Sequence, residues 1–365
     1  MDGERAPVMA DVARIAGVSH QTVSRVLNDH PNVRSATRDR VLAAVRELGY
    51  RPNAAARNLA TRRTRTLGVI SFNTTLYGPA SMLYGIEQAA RQHEYFVVVA
   101  AVGTLDRRSV LDAVDRLRDQ GVEGIIVIAP QTSAVGALAS VPSDVPLVAV
   151  GCGTHAKLAS VAVDNEAGAE LATSYLLDLG HRTVHHVVGP RSWLDAQERE
   201  AGWRRTLEKR GAPLVEPLGG ADWTSRTGFE VGQRIAADPE VTAVFCANDH
   251  MALGLLRAVQ QAGRRVPEDI SVVGFDDMPE TEYFGPSLTS VRQDFDELGR
   301  RALRALIEIV GDPEAGLPAA EERPHIVIPP SLVVRTSATP PGHDRRLGRT
   351  TGLPREEETR WAASP

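Results

Sequence analysis

The sequence has little of what builds extracellular or membrane-embedded proteins. Only two of its 365 residues are cysteines, Cys152 and Cys246, and neither belongs to a CxxC or Cys/His pattern. This scarcity argues against a disulfide scaffold and against a structural zinc site. No apolar run approaches the length of a membrane span, and the first residues contain no apolar signal region. We therefore expect a cytoplasmic protein without membrane contact.

Charge is divided unevenly along the chain. The formal net charge is -5, yet the segment up to Arg65 holds twelve arginines against six acidic residues, a local charge of +6. The remainder therefore carries -11. A basic segment on an acidic body is expected where that segment meets phosphate groups, so nucleic acid is the favoured partner of this end.

Residues 11–28, DVARIAGVSHQTVSRVLN, are typical of two short helices joined by a tight turn. Gly17 stands where a helix end favours a left-handed residue, and Ser19 is placed to cap the second helix. The apolar residues predicted to face inward are Val12, Ile15, Ala16, Val23, Val26 and Leu27. The other face of the second helix carries His20, Gln21, Ser24 and Arg25. This pattern fits a helix-turn-helix in a DNA major groove, although spacing alone leaves an ordinary helical hairpin equally open.

A third helix is predicted from Thr37 to Leu48, ended by Gly49, so that three helices share one small core. The next helical segment, AAARNLA at 54–60, is too short to be stable alone in water. We expect it to be helical only where something holds it.

From Leu67 onward, short apolar runs alternate with amphipathic helices. This alternation predicts parallel sheets with helices on both faces. The runs are too numerous for one sheet, and a change near Val163 indicates two similar lobes.

Polar and aromatic residues recur at the predicted carboxyl ends of these strands, where such folds bind ligands. They occupy 73–81, Asp164, 189–199, Trp223, Asn248, Asp249, Asp276 and Asp277. Singly, each has an ordinary reading, because a tryptophan is more often core and an aspartate after a strand more often caps a turn. Together, carboxylates, an amide, an arginine and indole rings suit a polyhydroxylated ligand.

Seven segments in combination resemble the LacI/GalR family of transcriptional regulators. They are DVARIAGVSHQTVSRVLN, ELGYRPNAAARNLATRRT, GVEGIIV, DNEAGAELAT, ANDHMALGLLRA, VPEDISVVGFDD and LTSVRQDFDELGRRA. The resemblance runs from about Val8 to Ser337. It implies an all-α helix-turn-helix headpiece followed by an α/β core, whose two parallel-sheet lobes are of periplasmic-binding-protein type. It also implies a homodimer, double-stranded operator DNA and a small sugar effector as partners, and no cofactor or metal.

The resemblance assigns DNA contacts residue by residue. His20, Gln21 and Arg25 match base-reading positions, and Leu59 matches a hinge residue that wedges into the minor groove and kinks the duplex. Val8 departs from the family, because it occupies the usual polar capping position of the first helix. The expected DNA-binding residues are Ser19, His20, Gln21, Thr22, Ser24, Arg25, Asn28, Arg34, Tyr50, Asn53, Ala56 and Leu59.

In the core, Arg199, Asn248 and Asp276 match the family's polar effector ligands, with Trp223 and Phe295 as apolar walls. The runs LYGPAS, DWTSRTGF and RQDF resemble a galactoside-binding member of the family, which favours a galactoside. Two departures concern the sugar, because Asp195 replaces a serine of that member and Trp193 adds a ring. The expected effector-binding residues are Tyr77, Pro79, Trp193, Asp195, Arg199, Trp223, Asn248, Asp276 and Phe295.

The expected domains are a headpiece at 1–52, a hinge helix and linker at 53–65, a two-lobed core at 66–337 and a disordered tail at 338–365. Lobe 1 is expected at about 66–162 plus 292–322, and lobe 2 at about 163–291 plus 323–337. We expect HIVIPPSLVVRTS, at 325–337, to form paired strands within this last segment. The tail lacks the leucine heptads of a tetrameric member, which favours a dimer.

The functional hypothesis is a sugar-responsive repressor released from a palindromic operator by its effector. The family leaves open another sugar or a ligand that acts as co-repressor. A sugar-binding protein without regulation is opposed by the basic headpiece. An enzyme using Asp276 and Asp277 is opposed by their adjacency, since neighbouring residues of a strand point to opposite faces. The sequence also contains no phosphate loop, nucleophile elbow or metal motif.

Overall fold

The computed structural model describes residues 7–27, 30–50, 63–153, 158–311 and 324–342. Within these ranges, no helix combines the length and the apolar character that a membrane crossing requires.

The headpiece is a bundle of three helices, α1 (Met9–Ala16), α2 (His20–Leu27) and α3 (Ser35–Leu48). Its small core is formed by Val12, Ala13, Ala16, Val23, Val26, Val41, Ala44 and Tyr50. Gly17 and Gly49 end α1 and α3 as predicted, and both are left-handed, with φ of 62° and 59°.

Ile15 is the apolar residue of α1 whose predicted position is wrong, because 39% of its surface is exposed. The buried stripe of this short helix consists of Val12, Ala13 and Ala16. One helical position turns a side chain by about 100°, so Ile15 lies beside the stripe.

The core contains two six-stranded sheets that differ in the direction of one edge strand. From edge to edge, the strands of lobe 1 are His325–Ile328, Ala159–Val163, Leu147–Val150, Gly124–Ile128, Thr66–Phe72 and Phe96–Val102. Those of lobe 2 are Ser331–Val333, Thr289–Arg292, Ser271–Asp276, Ala243–Cys246, His185–Val188 and Leu218–Gly219. All neighbouring strands are parallel except Ser331–Val333, which is antiparallel to Thr289–Arg292. The two-lobed parallel architecture expected from the sequence is thereby confirmed.

In lobe 1 the strands are β1 (Thr66–Phe72), β2 (Phe96–Val102), β3 (Gly124–Ile128), β4 (Leu147–Val150), β5 (Ala159–Val163) and β11 (His325–Ile328). Its helices are α4 (Tyr77–Gln92), α5 (Arg107–Asp119), α6 (Thr132–Leu138) and α11 (Phe295–Val310). Helices α4 and α11 cover one face of the sheet, and α5 and α6 cover the other.

In lobe 2 the strands are β6 (His185–Val188), β7 (Leu218–Gly219), β8 (Ala243–Cys246), β9 (Ser271–Asp276), β10 (Thr289–Arg292) and β12 (Ser331–Val333). Its α-helices are α7 (Asn165–Asp178), α8 (Leu194–Arg210), α9 (Ser225–Ala237) and α10 (Asp249–Gln261), with a 3-10 turn at Pro279–Tyr283. Helices α9 and α10 pack on one face, and α7 and α8 on the other.

The chain passes between the lobes at three places: from β5 to α7, from β10 to α11, and from β11 to β12. The third crossing corrects the expectation of paired strands at 325–337. Strand β11 pairs with β5 of lobe 1, whereas β12 pairs with β10 of lobe 2. Pro329 and Pro330 separate the two strands, and neither carries an N–H for a hairpin turn.

The packed chain continues beyond the expected start of the tail at 338. The backbone N–H of Thr339 donates to the Ser271 hydroxyl at 3.0 Å, and that hydroxyl donates to the Thr339 carbonyl at 2.9 Å. His181 contacts the same carbonyl at 3.0 Å. Residues 338–342 therefore belong to lobe 2, and the rest of the predicted tail lies outside the described residues.

Candidate DNA-binding surface and effector cleft

Helix α2 begins at a serine cap. The backbone N–H of Thr22 donates to Ser19 Oγ at 3.2 Å, and the two hydroxyl groups lie 2.9 Å apart. The predicted capping role of Ser19 is confirmed. Val8 has no polar side chain to cap α1, but its own backbone N–H donates to Asp11 Oδ2 at 3.0 Å, which links the first residues of the helix to Val8.

The outer face of α2 presents the side chains predicted to read DNA. His20, Gln21 and Arg25 are exposed, and Thr22 and Ser24 are half-buried beside them. Arginine and glutamine are the side chains whose donors and acceptors match guanine and adenine edges in the major groove. This face therefore carries suitable chemistry at an accessible position.

The remaining predicted DNA contacts divide into three groups. Arg34 is exposed at the residue before α3. Tyr50 is 7% exposed and packs in the headpiece core, so its side chain does not lie on the exposed face of α2. Four lie outside the described residues, together with the expected hinge helix at 54–60: Asn28, Asn53, Ala56 and Leu59.

A cavity lies between the lobes and is lined by residues of both. Lobe 1 contributes Leu76, Tyr77, Gly78, Pro79 and Met82, all at or near the start of α4. Lobe 2 contributes Trp193, Asp195, Arg199, Trp223, Asn248, His250 and Asp276, and Gln293 follows β10. Eight of the nine predicted effector residues therefore line one cavity.

Arg199 is the central cation of this cleft and is 3% exposed. Its Nε donates to Asn165 Oδ1 at 2.9 Å, and Nη1 donates to the Ala247 carbonyl. Nη1 also lies 3.7 Å from Asp276 Oδ1. The guanidinium carbon stands 3.7 Å from the centre of the Phe275 ring, a cation–π contact. These contacts hold the guanidinium in one orientation before any ligand binds.

Asp276 ends β9 with a positive φ of 109° and is 6% exposed. Gln293 donates to its Oδ1 at 2.7 Å. Burial raises the pKa of Asp276 to about 6, opposed by Arg199 and by the Gln293 hydrogen bond and reinforced by Asp195. The adjacent Asp277 does not line the cavity and pairs with Arg292 at 2.6 Å and Arg335 at 2.7 Å. The side chains of the two aspartates therefore lie in different surroundings, as expected for adjacent residues whose side chains point to opposite faces of a strand.

Asp195 and Arg199 lie one turn apart on α8, which brings both side chains to the cavity. The Asn165 amide donates to Asp195 Oδ1 at 3.4 Å and to Glu198 Oε2 at 3.0 Å. Burial raises the pKa of Asp195 to about 7, with Arg199 lowering it and Glu198 raising it further.

The two tryptophans meet edge to face, with ring centres 5.6 Å apart. Trp223 lies against Gly189, where a Cβ would stand 2.3 Å from the indole, so the ring occupies the space a side chain would take. Among the described residues, no acceptor bonds the buried Nε1 of Trp223. A buried donor without a partner is costly, so this indole favours a ligand that supplies an acceptor.

Two predicted effector residues act differently from expectation. Phe295 does not line the cavity; its ring packs edge to face on Tyr77 at 5.9 Å and belongs to the lobe 1 core. Asn248 does line it, but its Oδ1 caps α10 at Met251 N, 2.8 Å away, and its amide donates to the Trp223 carbonyl at 3.1 Å. Asn248 thus positions Trp223 as well as facing the cleft.

Sequence reasoning missed residues that complete the site. Gln293 directly follows strand β10 and Asn165 is the second residue after β5, so the strand-end criterion could have found both. Asp164, which that criterion did select, caps α7 by accepting from Ala167 N at 2.8 Å and does not line the cavity. His250 gave no signal beyond its position after Asn248-Asp249.

A helix-turn-helix headpiece joined to two lobes with a polar cleft between them defines a ligand-responsive DNA-binding regulator. Family models agree, matching "Bacterial regulatory proteins, lacI family" at residues 8–53 and "Periplasmic binding protein-like domain" at residues 173–338.

Relatives with the same architecture cover nearly the whole chain. The HTH-type transcriptional repressor PurR of Vibrio parahaemolyticus is 36% identical over 87% of this chain and 96% of its own length. The lactose operon repressor of Escherichia coli K12 is 35% identical over 82% of this chain and 83% of its own length. The crystal structure of the lac repressor dimer bound to operator and the anti-inducer ONPF matches with a TM-score of 0.78 and 33% identity, covering 92% of this chain and all of that one.

The chain belongs to the LacI family. It is a DNA-binding transcriptional repressor and not an enzyme.

Proposed function

We propose that this protein represses sugar-utilisation genes from a palindromic operator and releases the DNA when a small sugar, a galactoside, enters the cleft. The observation that carries the proposal is the set of buried polar groups around one cavity at the carboxyl ends of both sheets.

The chemistry of the cleft suits hydroxyl groups. Carboxylates of Asp195 and Asp276 accept hydrogen bonds, and the guanidinium of Arg199 and the unpaired Trp223 N–H donate them. Trp193 and Trp223 add apolar faces for the C–H side of a sugar ring. Ligand specificity in such sites comes from a few placed polar groups within apolar walls.

The residues proposed to contact the operator are those of the α2 face, together with Arg34 before α3. His20, Gln21 and Arg25 stand free of the headpiece core and are accessible to a major groove. The minor-groove wedge of Leu59 stays a prediction.

A homodimer would cover exposed apolar side chains on both lobes. Edge strand β2 exposes 77% of Phe96 and 44% of Val99, and nearby α4 exposes 62% of Tyr84. In lobe 2, Tyr283 is 82% exposed and Leu253 is 42% exposed. Large exposed apolar patches mark interaction sites, and a second copy would also cover the open edge of β2. We place the dimer in the cytoplasm, where it meets DNA.

Calorimetry with a panel of galactosides and glucosides tests the effector assignment. We expect a galactoside to bind and glucosides to bind more weakly. Absence of binding by every sugar in the panel would exclude a sugar effector.

Gel-shift titrations on palindromic sites, with and without the bound sugar, test the direction of the response. We expect specific binding that the sugar weakens; strengthened binding would make the ligand a co-repressor. Effector and DNA can be linked only through the different affinities of the sugar for the two arrangements of the core.

A further inference from the structure

The charges that line the cleft do not balance. Lobe 1 lines it with apolar residues and Tyr77, a phenol whose pKa is raised by burial. Lobe 2 contributes two carboxylates, Asp195 and Asp276, against the single guanidinium of Arg199. Burial lowers the pKa of the remaining basic group, His250, which is therefore neutral at pH 7. One carboxylate is in excess within a buried site.

The excess carboxylate is that of Asp195. The guanidinium of Arg199 is engaged by Asp276, by the Ala247 carbonyl and by the Asn165 amide oxygen. Asp276 has a second partner in Gln293, 2.7 Å away. Among the described residues Asp195 forms no ion pair, and its hydrogen bond from Asn165 is long, at 3.4 Å. Its carboxylate therefore retains acceptor capacity for a ligand in the cavity.

We propose that Asp195 determines effector class: it makes the cleft select a free, uncharged sugar whose hydroxyls donate to its carboxylate, and reject phosphorylated and carboxylated forms. This inference rests on the proposed sugar-responsive function. An ionised carboxylate only accepts hydrogen bonds. It therefore favours ligands that donate them and makes no favourable contact with an anion. Burial raises the pKa of Asp195 to about 7, so above that pH a bound anion would stand beside an ionised carboxylate that forms no ion pair among the described residues, and the repulsion gives specificity.

The selection places the effector in a reaction sequence. If the cleft rejects the phosphate ester, the signal is the sugar before any phosphoryl transfer to it. A reaction that phosphorylates this sugar or oxidises it to an acid therefore ends the signal.

The experiment compares matched ligands by calorimetry on the full-length protein. The probes are methyl galactoside, its 6-phosphate, methyl galacturonoside and the neutral amide of that acid, with the corresponding glucosides. The galacturonoside and its amide are nearly equal in size, so their difference reports charge. At pH 8, where Asp195 is mostly ionised, we expect the anionic forms to bind about 10-fold more weakly than the neutral ones in the wild-type protein.

The variant Asp195→Asn removes the charge while keeping the shape, and Asp195→Ser is a smaller substitute if the first does not fold. We expect either to reduce the neutral-to-anion preference by ~10-fold, because Arg199 and Asp276 then leave the cleft neutral. Glu208→Gln is the matched control, since Glu208 is exposed on the same helix.

Three outcomes are informative. A wild-type protein that binds the anions as tightly as the neutral sugars overturns the proposal, and so does a preference that is equal in Asp195→Asn and Glu208→Gln. In both cases a sugar effector still stands. If the wild-type protein binds none of the neutral sugars, the proposed function itself fails and the inference fails with it.

Discussion

The α2 face and the cleft between the lobes both consist of polar side chains, but in opposite surroundings. His20, Gln21 and Arg25 stand in solvent, whereas Arg199 and Asp276 are nearly inaccessible and are held by one another. A solvated side chain can be removed at little cost to the fold. A buried charge cannot, because its partner is left uncompensated. The DNA-binding surface is thus separable from stability, and the effector site is not.

Arg199→Ala is expected to produce the largest effect. It should reduce effector affinity more than ~100-fold and destabilise the core by about 3–5 kcal/mol, because Asp276 and Asn165 lose their shared partner. Calorimetry and chemical denaturation measure the two losses, and gel shifts should show operator binding retained at temperatures where the core stays folded. As control, Arg204→Ala breaks a partly exposed pair with Glu200 on the same helix and should cost no more than about 1 kcal/mol. Normal sugar binding by Arg199→Ala would remove this residue from the site.

Arg25→Ala tests the solvent-exposed DNA-binding face of α2. We expect operator affinity to fall by about 1–3 kcal/mol, with sugar affinity and the unfolding midpoint unchanged, because the exposed side chain supports no core packing. Titration of operator and random DNA by fluorescence anisotropy separates base reading from charge. Arg40→Ala removes the same charge from an exposed position of α3. Equal losses in the two variants would reduce Arg25 to a general electrostatic contribution.

Effector affinity should depend on pH, and in a known direction. Burial raises the pKa of Asp195 to about 7, while Arg199 opposes the shift and Glu198 and Asp276 stand nearby as further acids. The sugar hydroxyls donate to the ionised form, so affinity should rise with pH and be ~10-fold weaker at pH 6 than at pH 8. Calorimetry across this range measures the dependence. In Asp195→Asn the slope should shrink to the part contributed by Asp276, whose pKa is about 6; a flat wild-type profile would contradict the role of both groups.

The smallest expected effect concerns the headpiece scaffold. Ser19→Ala removes the oxygen that accepts from Thr22 N and should destabilise α2 by about 1 kcal/mol. Hydrogen exchange of the α2 amides in the full-length protein should quicken accordingly. Ser35→Ala, an exposed serine at the start of α3, is the control. Equal exchange in the two variants would mean that the cap adds no stability.

Most of the fold was predictable because its signals are local. Apolar runs such as GIIVI at 124–128 become fully buried parallel strands, and the caps at Gly17 and Ser19 depend on neighbouring residues only. The placement of β11 was not predictable in this way, because the sequence HIVI suits an edge strand of either sheet. What decides it is the pairing with β5, a contact between residues far apart in the chain.

The candidate site, like the fold, was predictable where its signals are local in the sequence. Strand ends pointed to Asp276, Asn248, Arg199 and Trp223, and the family resemblance assigned them as effector contacts. Neither revealed that Asn248 is occupied in holding Trp223, or that Phe295 stands behind Tyr77. Tyr50 likewise was predicted to contact DNA, but its side chain is buried in the headpiece core. Such roles follow from which groups meet in space.

The crossing from β11 to β12 restricts how the lobes can move. Ile328 ends a strand of lobe 1 and Ser331 begins one of lobe 2, with only Pro329 and Pro330 between them. Two residues of chain span at most about 10 Å between the strand ends. Their rings also fix φ, which stiffens the link. This short link holds the edges of the two sheets close together. A ligand can therefore change the angle between the lobes, but it cannot separate them at this edge.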